Sequence, residues 1–163
     1  MDFQNIYDRF DKVLKENNQL SVTWMGIPSF GKMHIPSCDF AAMISEEQFE
    51  EFILPGLLQD IKMMHHNIFH VDGKAVARNI DRILELPEIN AIQWVQGMGN
   101  DKPIMQWLPF IKRCLKAGKS VVVDLELNEL EDFIQNMKPE GILLCIPADE
   151  DIQPDIIKRI NKW

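Results

Sequence analysis

A histidine and a carboxylate lie two residues apart at the end of an apolar run, in the stretch HHNIFHVDGKA from His65 to Ala75. In a strand, residues two apart point to the same side, so we expect His70 and Asp72 to project together. An imidazole beside a carboxylate suits either a metal ion or a general acid and base. The spacing alone favours a plainer interpretation, in which Asp72 caps the helix that follows the strand.

Other chemically capable side chains stand at the ends of other predicted strands. They are Trp24, Trp94, Gln96, Asp124, Glu126 and Cys145. Ligands of parallel α/β folds bind at the carboxyl ends of the strands, so these positions form the candidate site. Imidazole, carboxylate and thiolate are the donor types that zinc accepts, which makes His70, Asp72 and Cys145 candidate metal ligands.

An alternation of strands and helices has to position these residues. The predicted strands begin at Leu20, Asn67, Ala91, Ser120 and Gly141. Apolar residues at helical spacing predict helices over 3–17, 46–64, 74–86, 103–117, 129–137 and 151–163. A long loop is predicted over 27–44, after the first strand. Runs such as SVVV and GILL are typical of strands buried on both faces of a parallel sheet. The sequence therefore predicts an α/β protein whose residues 1–163 form one domain.

Composition narrows the classes of partner. The net charge of −8 is spread along the chain without a basic stripe, which argues against nucleic acid and anionic membranes and favours a small molecule or a protein. The three cysteines include no CxxC pair, and the N-terminus lacks the basic and apolar regions of a signal peptide. These features predict a cytoplasmic protein without a membrane span.

The number of strand-helix units is too small for a closed barrel. Five units are predicted, whereas a TIM barrel has eight and about 250 residues. Either the sheet is open and doubly wound, or the chain is part of a barrel. A partial barrel leaves open strand edges, which a second copy would cover, so we expect a homodimer.

Three phrases of the sequence carry a resemblance to a known family. They are SCDFAAMISEEQFEEFILPGL, IFHVDG, and ELPEINAIQWVQGMGN followed by WLPFIKRCLKAGKSV. In this order they resemble the C-terminal part of the uroporphyrinogen decarboxylase-like superfamily, near its uncharacterised bacterial members related to corrinoid-dependent methyltransferases. The family fold is a (β/α)8 barrel of more than twice this length. The resemblance implies a partial barrel of about five parallel units whose N-terminal units are missing.

The resemblance also implies a site and a reaction. The methyltransferase branch binds zinc through a His-x-Cys motif at one strand end and a further cysteine on the last strand, and the zinc activates a thiol acceptor. His70 matches the histidine, Asp72 replaces the first cysteine, and Cys145 lies near the second.

On this interpretation a corrinoid, free or on a corrinoid protein, donates the methyl group. The remaining candidates are the catalytic residues Gln96 and Asp124 and the cofactor-binding residues Trp24, Trp94 and Glu126. The alternative is a catalytically inactive partial barrel that self-associates as a binding or assembly module.

Overall fold

A computed structural model describes residues 3–163 as an α/β fold with a five-stranded parallel sheet and a two-stranded antiparallel ribbon. The strands are β1 (Ser21–Val22), β2 (Pro28–Ser29), β3 (Met33–His34), β4 (His66–Asp72), β5 (Ala91–Val95), β6 (Ser120–Asp124) and β7 (Ile142–Cys145). The α-helices are α1 (Phe3–Glu16), α2 (Glu46–Gln48), α3 (Leu54–Ile61), α4 (Gly73–Val76), α5 (Ile80–Leu84), α6 (Leu108–Lys116), α7 (Leu130–Asn136) and α8 (Gln153–Ile160). None of the helices within residues 3–163 combines the length and the apolar character needed to cross a lipid bilayer.

The parallel sheet follows chain order, β3-β4-β5-β6-β7. Four of its strands confirm the predicted strands, and a strand also forms at the predicted first position, but its expected place in the parallel sheet is wrong. β1, near Leu20, pairs antiparallel with β2 in the ribbon, while β3 pairs with β4 from inside the predicted loop. β3 escaped prediction because it is two residues long and is soon followed by Pro36, which leaves no apolar run to recognise.

The two faces of the sheet have different environments. Phe69, Val71 and Trp94 belong to the large core that includes residues of the helices. The alternate residues Ile68 and Ala91 belong to a small cluster with Met33 and Val122, covered by Met25 and Ile27 of the ribbon segment. Because side chains alternate along a strand, His70 and Asp72 lie on the face that the helices leave free.

The second predicted helix, 46–64, is interrupted. A capping box begins it, since Ser45 and Gln48 exchange side-chain and backbone hydrogen bonds. A π-helical segment, Phe49–Ile53, then precedes α3. Pro55 lies in the first turn of α3 and has no N–H to continue the α-helical ladder, which accounts for the interruption.

The helix predicted over 129–137 forms as α7, which begins one residue later. A 3-10 turn, Leu127–Glu129, precedes α7, and no side chain caps that helix. The Glu129 carboxylate instead accepts a hydrogen bond from the backbone N–H of Ile104 at 2.8 Å. Pro154 lies in the first turn of α8, where no intrahelical hydrogen bond needs its missing N–H.

The two edges of the parallel sheet differ. At β3, the Tyr7 hydroxyl on α1 donates to the carbonyl of Met33 at 2.9 Å and accepts from its N–H at 2.7 Å. One side chain thus satisfies both outward backbone groups of that residue. At the other edge, β7 pairs only with β6 among the described residues.

Candidate metal and ligand site

The segment that follows β3 places Asp39 beside the end of β4, and this residue is not among the predicted site residues. The register that places Met33 opposite His66 continues to an isolated bridge between Ser37 and His70. The N–H of His70 donates to the carbonyl of Pro36 at 2.9 Å within this extension. Asp39 follows two residues later and therefore arrives beside the end of β4.

Asp39, His70 and Asp72 form a group of potential metal ligands. One donor atom of each lies within 4.8 Å of those of the other two. Both aspartates are exposed and His70 is partly buried, so the group opens to solvent. Asp72 occupies the N-cap position of α4 without making a side-chain capping bond. Its carboxylate is thus available to a ligand, contrary to the plain capping interpretation.

Gln93 on β5 orients the imidazole of His70. The two residues face each other in the parallel register, and the Gln93 amide oxygen lies 2.8 Å from His70 Nδ1. An amide oxygen only accepts hydrogen bonds, so Nδ1–H is the donor of this contact, and in the neutral imidazole the lone pair is then on Nε2. The Trp24 ring also packs edge-on against the imidazole, with 5.8 Å between ring centroids. These two contacts fix the orientation of the ring, and the bond at Nδ1 leaves Nε2 as the nitrogen that a metal ion would use.

A cavity of about 600 Å³ lies next to this group, over the carboxyl ends of β5, β6 and β7. Its lining includes Trp24, Gln96, Met98, Asp124, Glu126 and Cys145. Trp24 packs against His70 and also lines the cavity, so this one ring connects the two, while Asp39, His70 and Asp72 are not themselves lining residues. The volume falls in the range typical of small-molecule sites.

Asp124 and Cys145 face each other across β6 and β7 at the cavity. Burial raises the pKa of the Asp124 carboxyl, and the nearby His70 opposes this shift. Burial also raises the pKa of the Cys145 thiol, and the negative charge of Asp124 raises it further. Cys145 is therefore protonated at neutral pH and is not an activated nucleophile in this setting.

The raised pKa of Asp124 predicts a pH-dependent effect of Asp124→Asn. Because the folded-state pKa lies above the ordinary 3.8, the folded state binds this proton more tightly, and stability is lost as the pH rises through the window above 3.8. Asparagine does not titrate. We expect the variant to gain stability over the parent between about pH 3 and about pH 7, measured as the free energy of unfolding in urea. A difference that is constant or falls with pH would contradict this assignment.

The structure brings together most of the predicted site residues. His70 and Asp72 project together, and Trp24, Asp124, Glu126 and Cys145 reach the adjoining cavity. Cys145 does not join the donor group: it lies on β7, whereas His70 and Asp72 lie on β4, and β5 and β6 stand between them.

Gln96 and Glu126 make contacts that hold the cavity wall together. The Gln96 amide donates to the carbonyls of Lys102 and Asp124 at 3.0 and 3.1 Å, which ties two strand-end loops to each other. Glu126 pairs with Lys102 at 2.8 Å at the partly exposed rim. In this structure both residues support the cavity wall.

Trp94 lies in the core instead of a pocket wall. It is fully buried and packs against Trp107 and Phe110, with centroid distances of 5.0 and 4.3 Å. Strand alternation explains the placement, since Trp94 points to the face opposite that of Gln93.

Sequence reasoning missed Asp39 and Gln93. Asp39 was hidden because β3 was assigned to the loop 27–44, although Pro36 is typical of an edge strand. Gln93 had a visible signal, a polar residue inside the otherwise apolar AIQWV, because a buried polar side chain needs a partner.

Comparisons of the chain with models of protein families, with curated proteins and with solved structures gave no significant match. The geometry of the donor group and the cavity is therefore the basis for inferring a function.

Proposed function

We propose that the chain is the C-terminal part of a uroporphyrinogen decarboxylase-like barrel that binds zinc through Asp39, His70 and Asp72 and transfers a methyl group to a thiol. The donor group beside Trp24 and the cavity is the observation that carries this proposal. The sheet supports it, because five parallel strands in chain order, with helices packed on one face, are the arrangement expected of a barrel segment.

The donor set fits zinc. Zinc is commonly bound by imidazole and carboxylate, and a catalytic site keeps one position open beside three protein ligands. The two carboxylates also supply the same negative charge as the two thiolates implied by the resemblance. Asp39 takes the place expected for Cys145, and the net charge of the ligand set is preserved.

Each surrounding residue has a role in the proposed reaction. When bound, zinc would lower the pKa of a thiol at the open position. Gln93 holds the His70 ring, and Trp24 forms the wall that the thiol and the methyl donor share. The methyl carbon bonds to the thiol sulfur, the electron pair of its former bond stays on the donor, and Asp124 receives the thiol proton.

A corrinoid, free or carried by a protein, is the proposed methyl donor. Trp24 and Met98 are exposed at the cavity, by 66% and 84%, and offer apolar contact area to a large planar donor. Free Cys38, Cys114 and Cys145 agree with the reducing cytoplasm that we propose as its location. Burial raises the pKa of the Cys114 thiol to about 12, which keeps that residue an inert part of the core.

Metal binding is tested first, and methyl transfer is tested afterwards with the zinc-loaded protein. Calorimetric titration of the metal-free parent with zinc is expected to give one ion per chain, and His70→Ala to abolish that binding. The zinc-loaded parent is then mixed with methylcobalamin and 2-mercaptoethanesulfonate, and the thioether is measured by mass spectrometry. Absence of zinc binding in the parent refutes the proposal. Binding without thioether refutes methyl transfer and leaves the alternative, an inactive module that self-associates.

A further inference from the structure

A buried amide oxygen in the lining of the cavity has no hydrogen-bond partner. Gln96 is 6% exposed, and its Nε2 uses both of its hydrogens, on the carbonyls of Lys102 and Asp124. Its Oε1 is closed to solvent and accepts no hydrogen bond from any of residues 3–163. A buried acceptor without a partner costs about 1–3 kcal/mol of stability. Such a group in a native protein therefore calls for an explanation, and a bound ligand is one.

The Asp124 carboxyl belongs to the same lining and also lacks a partner. It is half-buried, and within residues 3–163 it makes neither a hydrogen bond nor an ion pair. The backbone carbonyl of the same residue accepts the Gln96 amide at 3.1 Å. The two unpartnered acceptors are therefore carried by residues that contact each other.

The charges of the lining leave Asp124 unbalanced. Its charged residues are Lys102, Asp124 and Glu126. Lys102 pairs with Glu126 at 2.8 Å, so the lysine is not available to neutralise Asp124. The polar end of the cavity thus presents two acceptors and one negative charge, which favours a cation that carries N–H groups over an anion.

The remainder of the cavity wall is largely apolar. It includes Trp24, Met25, Met98, Leu144 and Ile146. The Trp24 side chain is 66% exposed, and the face of an indole ring attracts a nearby cation. A volume of about 600 Å³ accommodates a small apolar body behind a charged head group.

We propose that the cavity binds a small organic cation, a primary ammonium on an apolar body, whose N–H groups donate to Gln96 Oε1 and to the Asp124 carboxylate. Three N–H donors are enough to serve both acceptors. Because Oε1 is closed to solvent, the adjoining lining residues Gly97 and Met98 shift when the ligand enters. An ion-paired Asp124 no longer receives a thiol proton, so this ligand inhibits the methyl transfer proposed above.

Four probes of similar shape separate the charge from the N–H donors. 2-Phenylethylamine has both, phenethyltrimethylammonium has the charge without N–H, 2-phenylethanol has an O–H without charge, and 3-phenylpropionate is an anion. Calorimetric titration of the parent, freed of metal ions by a chelator, is expected to give the amine the tightest binding, by about tenfold or more. The proposal is overturned if the amine does not bind, or if any of the other three probes binds as tightly.

Asp124→Asn tests the ion pair with little change of shape. We expect this variant to raise the dissociation constant of 2-phenylethylamine about tenfold or more, because it removes the charge that the ammonium pairs with. Asp132→Asn, on the exposed side of α7, removes the same charge away from the cavity and is expected to leave that constant unchanged. Circular dichroism verifies that both variants fold.

Two results with the variants contradict the assignment. One is an Asp124→Asn variant that folds and binds the amine as tightly as the parent does. The other is equal weakening by Asp124→Asn and Asp132→Asn, which would reduce the effect to overall charge. Failure of the parent to bind zinc bears on the proposed function alone, because these titrations contain no metal ion.

Discussion

Asp39→Ala is expected to weaken zinc binding by about a hundredfold or more, whereas Cys145→Ser leaves the affinity unchanged. Removal of a residue that only supports a ligand already costs about 10- to 100-fold in affinity, so the loss of a ligand belongs at or above that range. Asp39 contributes one of the donor atoms within 4.8 Å of one another, and Cys145 lies outside that group. The dissociation constant is measured by competition with a chromogenic chelator.

The comparison needs a matched aspartate that lies away from the site. Asp132 is exposed on α7, and Asp132→Asn changes the net charge of the chain by the same amount as Asp39→Ala. Equal weakening by both variants would attribute the effect to overall charge. Weakening by Cys145→Ser with no effect of Asp39→Ala would restore the ligand set implied by the family resemblance and contradict the proposed one.

The sequence predicts those strands that coincide with a long apolar run. β4 to β7 each follow from an apolar run bounded by turn residues, and the alternation along β4 correctly places His70 and Asp72 on one side. The failure at β3 has a different origin. Two residues of strand have no periodicity, so only the pairing with β4 reveals that they belong to the sheet.

The same limit explains the errors at the site. Asp39 becomes a strand-end residue only once β3 and its extension to Ser37 are placed beside β4. Trp94 was assigned to the strand-end site by its position along the chain, but alternation turns it toward the helices. Register and facing direction are tertiary properties, and a list of strand-end residues does not contain them.

The two tryptophans Trp24 and Trp94 are expected to differ strongly in how much each contributes to the free energy of unfolding. Trp94→Ala should lower the free energy of unfolding by about 3–5 kcal/mol, because it leaves a large cavity in the core. Trp24→Ala should change it by less than about 0.5 kcal/mol, because the side chain is 66% exposed. Urea unfolding followed by circular dichroism gives both values.

Trp94→Phe adds a test of the packing itself. The indole Nε1 of Trp94 is buried without a hydrogen-bond partner, so phenylalanine loses ring volume but no hydrogen bond. Trp107→Phe loses the bond from Nε1 to the carbonyl of Asp101 at 2.7 Å as well. We therefore expect Trp94→Phe to lower the free energy of unfolding by much less than Trp94→Ala does. We expect it to leave the zinc affinity unchanged. A Trp94→Phe variant that folds normally but no longer binds zinc would instead place Trp94 in the site, because a residue with a purely structural role cannot affect zinc affinity while stability is kept.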